Sequence, residues 1–491
     1  MKSPNRPFPL RKQDDSSSIW IVGTIILVLQ LIFHLTLGAQ SISTTDSIKT
    51  EIYTQLNNAT VLKQLNFPNT VRRFYGNDFT PTWLRSDENI QPTVKAMLLL
   101  DCVRQYGLQR KDYHPEILDY FRMHNALSES GITASKKVQY EIMLTDAMIS
   151  MINHLHYGAY NPNLTSVKLD NGNASEFSTE DFLHKALASP NLMDAILSVQ
   201  PQIDQYKQLQ GYMKLIAGQY TCDSYETPEE EIRTIAINME RLRWREIKSD
   251  NFLHINIPSF KLTYFDQNST HEFKVVVGKP STPTPTLASE ISYLETGPDW
   301  NIPQAIFSKE LLPKLIKNNS FFETNHMAIY DKQGHYIPIT AKSIANIRKD
   351  PSQFHAKQSP GCGNALGKVV FRFNNTYGIY LHDTPEQPYF ERKKRALSHG
   401  CIRVEHAEVL ATLLLERDRQ NALIAPLKKA MSNYSKEKFA LKTPVPILIT
   451  YLTITVEGGL LARHEDVYRL DKILMDRMYK PFEQLVKTKV K

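Results

Sequence analysis

Among 491 residues, the side chains best suited to chemistry crowd into one stretch, His382–Glu405, which reads H-D-T-P-E-Q-P-Y-F-E-R-K-K-R-A-L-S-H-G-C-I-R-V-E. It holds a single cysteine, Cys401, with His399 two positions and His382 nineteen positions upstream, and Arg403 two positions downstream. A thiol becomes a nucleophile when a neighbouring base takes its proton, and imidazole has the pKa best suited to that near neutrality. A free thiol titrates near ~8.5, and a paired imidazolium lowers that by a unit or several. Attack on a carbonyl carbon would give a tetrahedral oxyanion and then a thioester. Glycine at 400 lets the backbone approach a substrate closely, and the amides of Gly400 and Cys401 are candidate oxyanion donors. Arg403, charged and fork-shaped, suits a substrate carboxylate, or else pins its own loop through carbonyls. Two rival readings remain: His382, His399 and Cys401 as three zinc ligands, with His406 nearby, or a cysteine that is only packed.

The elements that must position this stretch change character along the chain. From residue 40 to about 248 the pattern is helical. Pro92–Tyr106 has an early proline and Gly107 just past its end, and Ser135–Tyr157 carries Val138, Ile142, Ile149, Ile152 and Leu155 as one apolar stripe closed by Gly158. Met143, Met148 and Met151 read as core fillers, and His154 and His156 as structural. Asp204–Ala217 and Pro228–Ile247 read as further helices. Then alternating runs at Leu253–Phe265 and Phe273–Val277 flank a polar turn, a hairpin pattern, before the proline-rich Pro280–Pro285. Asp299–Ser359 reads as an insertion of short helical pieces, including Ser308–Ile316, with a hairpin around Asp331–Gly334. Lys368–Phe373 and Tyr377–Leu381 read as paired strands, which puts His382 at a strand end, where its ring can be held rigidly. His406–Gln420 reads as a helix, Pro446–Val456 and Leu460–Val467 as a last hairpin, and Asp471–Thr488 as a closing helix.

At 42% hydrophobic and 22% charged, the composition is that of a globular chain, with room for more than one core. The net charge of +7 is modest, and the longest basic run, Arg392–Arg395, is far short of a nucleic-acid arm, so no nucleic-acid partner is implied. After Lys2, Arg6, Arg11 and Lys12, an apolar run from Ile19 to Leu37 is long for a signal core and suits one membrane span. Charge before it and little after it orient the remainder outward. Cleavage after Ala39 is the competing outcome. Of four cysteines, Cys102 and Cys222 could pair or be buried thiols, and Cys362 has no assigned role.

S-H-G-C-I-R-V at Ser398–Val404, with Y-L-H-D-T-P at Tyr380–Pro385, resembles the active-site signature of the L,D-transpeptidases, whose catalytic domain is of the YkuD type. N-M-E-R-L-R-W (Asn238–Trp244), I-N-I-P-S-F-K-L (Ile255–Leu262), V-V-V-G-K-P-S-T-P-T-P (Val275–Pro285) and N-A-L-G (Asn364–Gly367) are more similar to the large YcbB-type murein enzymes. W-L-R-S (Trp83–Ser86), Y-G-L-Q-R-K-D-Y (Tyr106–Tyr113) and H-Y-G-A-Y-N-P (His156–Pro162) extend the likeness into the helical region. The resemblance implies Cys401 as nucleophile, His382 as general base, the backbone carbonyl of Asp383 as the group orienting that ring, and His399 as a neighbour shaping the site. It places the oxyanion hole at the Gly400 and Cys401 amides. Arg403 matches the motif arginine, and Tyr380 and Asn364 either line the substrate pocket or are structural.

The fold it implies is α+β: a basic segment 1–18, a transmembrane anchor or signal 19–39, a helical scaffold domain 40–248, a β-rich catalytic domain 249–470 with a helical cap inserted at about 299–359, and a C-terminal helix 471–491. The implied activity joins peptidoglycan stem peptides by 3–3 crosslinks through a Cys401 thioester, releasing a terminal D-amino acid, with no cofactor and no metal. Carboxypeptidase or D-amino-acid exchange through the same thioester, and a non-catalytic murein-binding scaffold, are the alternatives. The expected setting is the periplasmic side of the inner membrane, anchored by residues 19–37, or secretion after signal cleavage. YcbB-type relatives place a compact peptidoglycan-binding module before the N-M-E-R-like helix. Here about a dozen residues separate Tyr220 from Thr234, too few for a packed module.

Overall fold

The computed structural model describes residues 46–84, 90–128, 132–172, 177–219, 229–245, 247, 249–266 and 269–480. The expected membrane segment at 19–37 and Cys222 lie outside them. Among the described residues no helix is long and apolar enough to cross a membrane. They form two compact units, one made of helical segments up to residue 198, the other of residues 102–108, 153–165 and 199 onward. The units therefore do not divide at a single boundary near 248, because three helical stretches pack with the catalytic part.

In the first unit, α1 (Pro68–Tyr75), α2 (Gln91–Asp101) and α3 (Ala134–Tyr157) surround an apolar core; the end of α3, residues 153–157, belongs to the second unit. The stripe expected on α3 is buried to within 1%. So, however, are Glu141, Thr145 and Asp146 on the same helix, which periodicity alone would put in solvent. Their burial has a cause. Loops without secondary structure leave amides with no partner, and a buried carboxylate can take several at once. Glu141 accepts from the amides of Thr82, Trp83 and Leu84 at 2.6, 2.8 and 3.0 Å and from the Tyr75 hydroxyl at 2.9 Å. Asp146 accepts from the amides of Asn66 and Phe67 at 2.9 and 2.8 Å and contacts His114 Nε2 at 2.6 Å.

The second unit is built on a sheet that closes on itself. Its strands are β1 (Phe252–Asn256), β2 (Lys261–Asp266), β3 (Ser269–Gly278), β4 (Leu287–Thr296), β8 (Val369–Phe373), β9 (Leu381–His382), β10 (Ala396–Ser398), β11 (Ile402–Val404) and β12 (Glu437–Thr450). They run in the order β10-β3-β11-β9-β8-β4-β12-β1-β2, and β2 pairs back onto β3. Most pairs are antiparallel, while β1–β12, β9–β11 and β3–β10 are parallel. Alternate residues such as Leu253, Leu262, Val275, Leu294, Phe371, Ile402 and Ile447 fill the core. Leu410, Leu414 and Leu427 join it from α4 (Ala407–Arg417) and α5 (Ile424–Asn433). The register of β12 slips between Ala440 and Val445, beside Pro444, which cannot donate to a ladder.

The expected second strand at Tyr377–Leu381 shortens to β9, and the expected strand Pro446–Val456 splits into the end of β12 and β13 (Ile454–Glu457), which pairs with β14 (Leu460–Arg463). Between β4 and β8 the insertion is not purely helical. It contains β5 (Trp300–Ile302), β6 (Met327–Asp331) and β7 (Phe354–Gln358) as a three-stranded antiparallel sheet, with a core around Phe307, Leu315, Phe322 and Ile347. Replacing Glu141 by Ala would orphan three amides, each worth ~1–3 kcal/mol when buried. The expected outcome is a loss of hydrogen-exchange protection at Thr82, Trp83 and Leu84 of about 100-fold or more, corresponding to ~3 kcal/mol.

Candidate active site

Register alone assembles the site. In the parallel pair β9–β11, Leu381 stands beside Ile402 and His382 beside Arg403. Leu381 and Ile402 point into the core, so His382 and Arg403 share the opposite face. One step back in the same alternation brings Tyr380 and Cys401 to that face, and the Ile402 amide donates to the Tyr380 carbonyl at 3.1 Å. The antiparallel pair β8–β9 matches Val370 with His382 and Phe371 with Leu381, which carries Arg372 opposite Tyr380. Its guanidinium lies 4.5 Å from the Tyr380 ring centroid and 3.3 Å from Glu295 Oε2. The result is one row of Arg372, Tyr380 and Cys401 and a second of His382 and Arg403. Arg372 carries no motif, and only strand register could have identified it.

The His382 ring is nearly buried, 4% exposed, and its Nδ1 donates to the Asp383 carbonyl at 2.5 Å. That bond sets the tautomer and leaves Nε2 as the lone-pair nitrogen. Burial, then the Arg403 charge, lowers the imidazole to about 3 against the smaller opposing pull of the Asp383 carbonyl. Burial also raises the Cys401 thiol, against the Tyr380 backbone and hydroxyl and the charges of Arg372 and Arg403. The resting state is therefore a neutral thiol with a neutral imidazole, and the imidazolium invoked from residue types to lower the thiol is not present near pH 7. Arg403 has its Nε and Nη1 buried without a hydrogen-bond partner, while its guanidinium lies 5.2 Å from the Tyr389 ring centroid. Among the described residues no group of three His, Cys, Asp or Glu could hold a metal ion.

The S-H-G-C turn differs from the expectation drawn for Gly400. Gly400 sits at φ +117°, its amide donates to Ser398 Oγ at 3.1 Å, and its carbonyl accepts from Thr284 Oγ1 at 2.8 Å. Ser398 Oγ in turn donates to the Cys401 carbonyl at 2.6 Å. The Gly400 amide is thus engaged in shaping the turn, and of the two backbone donors considered, the Cys401 amide is the one left for a substrate. His399 turns to the insertion: its Nε2 lies 2.7 Å from Glu310 Oε1 and 3.3 Å from Lys279 Nζ. Glu310 stands in a π-helical turn, Phe307–Leu311, a distortion common where a helix must aim a functional side chain.

Residues 250–447 match the family model of the L,D-transpeptidase catalytic domain, YkuD, and residues 69–213 that of a scaffold domain. Residues 250–447 are an L,D-transpeptidase catalytic domain. A Haemophilus influenzae protein named "Putative L,D-transpeptidase" is 33% identical over 249 residues, 48% of this chain and 48% of that protein, so the chain matches about half the length of this relative. Among solved structures, an L,D-transpeptidase from Mycobacterium smegmatis is 12% identical, covering 42% of this chain and 60% of its own at a TM-score of 0.19. An Enterococcus faecium L,D-transpeptidase, solved as a cysteine-to-serine mutant, is 11% identical, covering 50% and 82% at 0.17.

Within the transpeptidase domain, the N-A-L-G stretch supports His382 from behind. Asn364 is 1% exposed and its Nδ2 donates to the carbonyls of Ser359 and Pro298 at 2.8 and 3.1 Å, tying together the two ends of the insertion. Its Oδ1 accepts from the Leu366 amide at 2.8 Å, so both polar ends of the Asn364 side chain are engaged within the fold, in a structural role. Gly367, at φ +66°, lies so close to Asp383 that a Cβ would come within 2.4 Å of its Oδ2 and 2.6 Å of its carbonyl carbon. Cys362 is exposed and unpaired.

Three outcomes follow for the thiol and its base. With neutral partners, alkylation of Cys401 by iodoacetamide, read by intact mass, is expected to climb from about pH 6 to about pH 9 with no acid plateau. A plateau near pH 6 would show an ion pair instead. Arg372→Met, which removes a cation that favours the thiolate, should slow alkylation at pH 8 by roughly 3–10-fold. Gly367→Ala must push Asp383 and with it the carbonyl that holds His382. The expected loss of thioester formation is on the order of 100-fold, measured by acylation rate alongside an unchanged circular dichroism spectrum.

Proposed function

We propose that the protein is a peptidoglycan L,D-transpeptidase acting from the outer side of the inner membrane, where residues 19–37 would anchor it. The observation that carries this reading is the shared face of Tyr380, His382, Cys401 and Arg403, with the His382 ring neutral and its Nδ1 held by the Asp383 carbonyl. As Cys401 Sγ attacks the carbonyl carbon of a donor stem peptide, His382 Nε2 takes the thiol proton, so thiolate never has to accumulate. The Cys401 amide and the Tyr380 hydroxyl are the donors offered to the developing oxyanion, worth several kcal/mol where water is excluded. Protonated His382, disfavoured by its burial and by Arg403, readily returns its proton to the leaving amine, and a terminal D-amino acid departs. The amine of a second stem's diamino acid then attacks the thioester, His382 takes its proton, and a 3–3 crosslink forms as the thiol is regenerated. Arg403, whose buried Nε and Nη1 have no hydrogen-bond partner, supplies a fixed positive charge beside the site that suits an anionic group of the substrate. The insertion, fastened to the catalytic turn through Glu310 and His399, is the segment suited to limit competing water.

The full-length chain in detergent, incubated with purified muropeptides and analysed by mass spectrometry, is expected to yield crosslinked dimers and free D-amino acid. A carbapenem should give a covalent adduct on the wild type and none on Cys401→Ala. His382→Ala should lower acylation by roughly 100–10,000-fold. Only trimmed tripeptides would replace transfer by hydrolysis, and a wild type that forms no adduct would remove the enzymatic reading.

A further inference from the structure

Two stretches set apart in the sequence, N-M-E-R-L-R-W and H-Y-G-A-Y-N-P, take no part in the catalytic array, yet in the second unit they meet. The polar side chains of the first, on and just beyond α6 (Glu229–Arg243), are engaged in building one wall. Glu240 is fully buried and accepts from the Tyr160 amide at 2.7 Å, the Ala159 amide at 3.2 Å and the Trp244 indole at 2.9 Å. Gly158, at φ +85°, is required there, since a Cβ would stand 2.5 Å from Glu240 Oε1. Arg241 pairs with Asp471 at 2.6 Å and lies 5.1 Å from the Tyr451 ring centroid. The Asn238 amide group joins the wall to β12's exit, accepting from the Thr453 amide at 2.9 Å.

This wall bounds a cavity of about 340 Å³, a size within the range of small-molecule sites. Trp244, Tyr160 and Tyr377 supply aromatic faces, and Leu470, Ile473 and Leu474 an apolar floor. Arg245 and Arg477 stand at its edge with no ion-pair partner among the described residues, and no described Asp or Glu lines it. The lining thus offers flat apolar surfaces with unneutralised guanidinium groups, suited to a ligand with apolar ring faces and a carboxylate. A carboxylate-bearing sugar has both. The position is also informative: Tyr377 lies three residues before Tyr380, and Thr286 two residues after the Thr284 that fixes the Gly400 carbonyl.

We propose that this cavity is a glycan subsite, holding a sugar that has lost its stem peptide and so bears a free lactyl carboxylate, on a peptidoglycan strand whose remaining stem peptides are delivered to Cys401. The proposal rests on the transpeptidase reading, but it concerns binding and needs no thioester. The test uses the full-length protein and two probes of equal length: glycan strands stripped of their peptides, which bear free lactyl carboxylates, and chitin oligomers, which share the backbone and lack the charge. By calorimetry, the stripped strand should bind at least about tenfold tighter than chitin, equally well to wild type and Cys401→Ala. Arg245→Glu with Arg477→Glu should lose about tenfold for the stripped strand and leave chitin unchanged, and Trp244→Ala should weaken both. The arginine variant should keep its carbapenem adduct, which shows that it is folded, and should raise KM for stems on strands from which part of the peptides has been removed, while leaving free stem peptides unaffected. Equal binding of the two probes, or arginine variants that bind like wild type, would overturn the subsite. Loss of the adduct in the wild type would instead strike the transpeptidase reading alone.

Discussion

The parallel pairing of β9 with β11 is the contact on which the rest depends. Each strand is only two or three residues long, so neither would persist alone. Their place between β8 and β3 in a closed sheet fixes them from both sides. Because side chains alternate, one residue of slippage would send His382 and Arg403 into the core and bring Leu381 and Ile402 out. The apolar residues between the reactive ones are therefore what hold the reactive ones on a single face. The bulk of the barrel, from Leu253 to Ile449, acts as a register lock for four side chains.

Burial then sets the chemistry. A thiol and an imidazole close to the surface would settle as an ion pair, but here burial disfavours both charged forms and Arg403 penalises the imidazolium further. Such a pair reacts by moving a proton during attack. The arrangement also resists adventitious modification at rest, since thiolate is the reactive species. Tyr380 links the two rows, standing edge-on to His382 at 5.8 Å and beneath the Arg372 guanidinium.

Around this centre, several residues that look reactive prove to be supports. His399, adjacent to the nucleophile's glycine, faces Glu310 and Lys279; burial pushes the Glu310 carboxyl up, and its contacts with His399 and Lys279 outweigh that and hold it below its usual range. Asn364 ties off the insertion, and Gly367 gives Asp383 room to present its carbonyl to His382. In the first unit Glu141 and Asp146 do comparable work for loop amides. For Asn364, Glu141 and Asp146 a polar group is buried because a backbone group opposite has no other partner.

The sequence by itself determined that Cys401 stands among two histidines and an arginine, that α3 has an apolar stripe, that the chain turns from helical to β-rich near residue 250, and that His382 closes a strand. Those features are local: residue type, period and turn chemistry are enough to read them. Only the tertiary structure decided that Arg372 joins the site, that His399 leaves it for Glu310, that the Gly400 amide goes to Ser398, and that the insertion holds a sheet of its own. It also decided which helical stretches pack with the catalytic unit and that Glu240 gathers Trp244 and residues 158–160 into one wall. These depend on which strand lies beside which and on which buried amide lacks a partner, and both are set by contacts between residues tens to hundreds of positions apart, which no local pattern encodes.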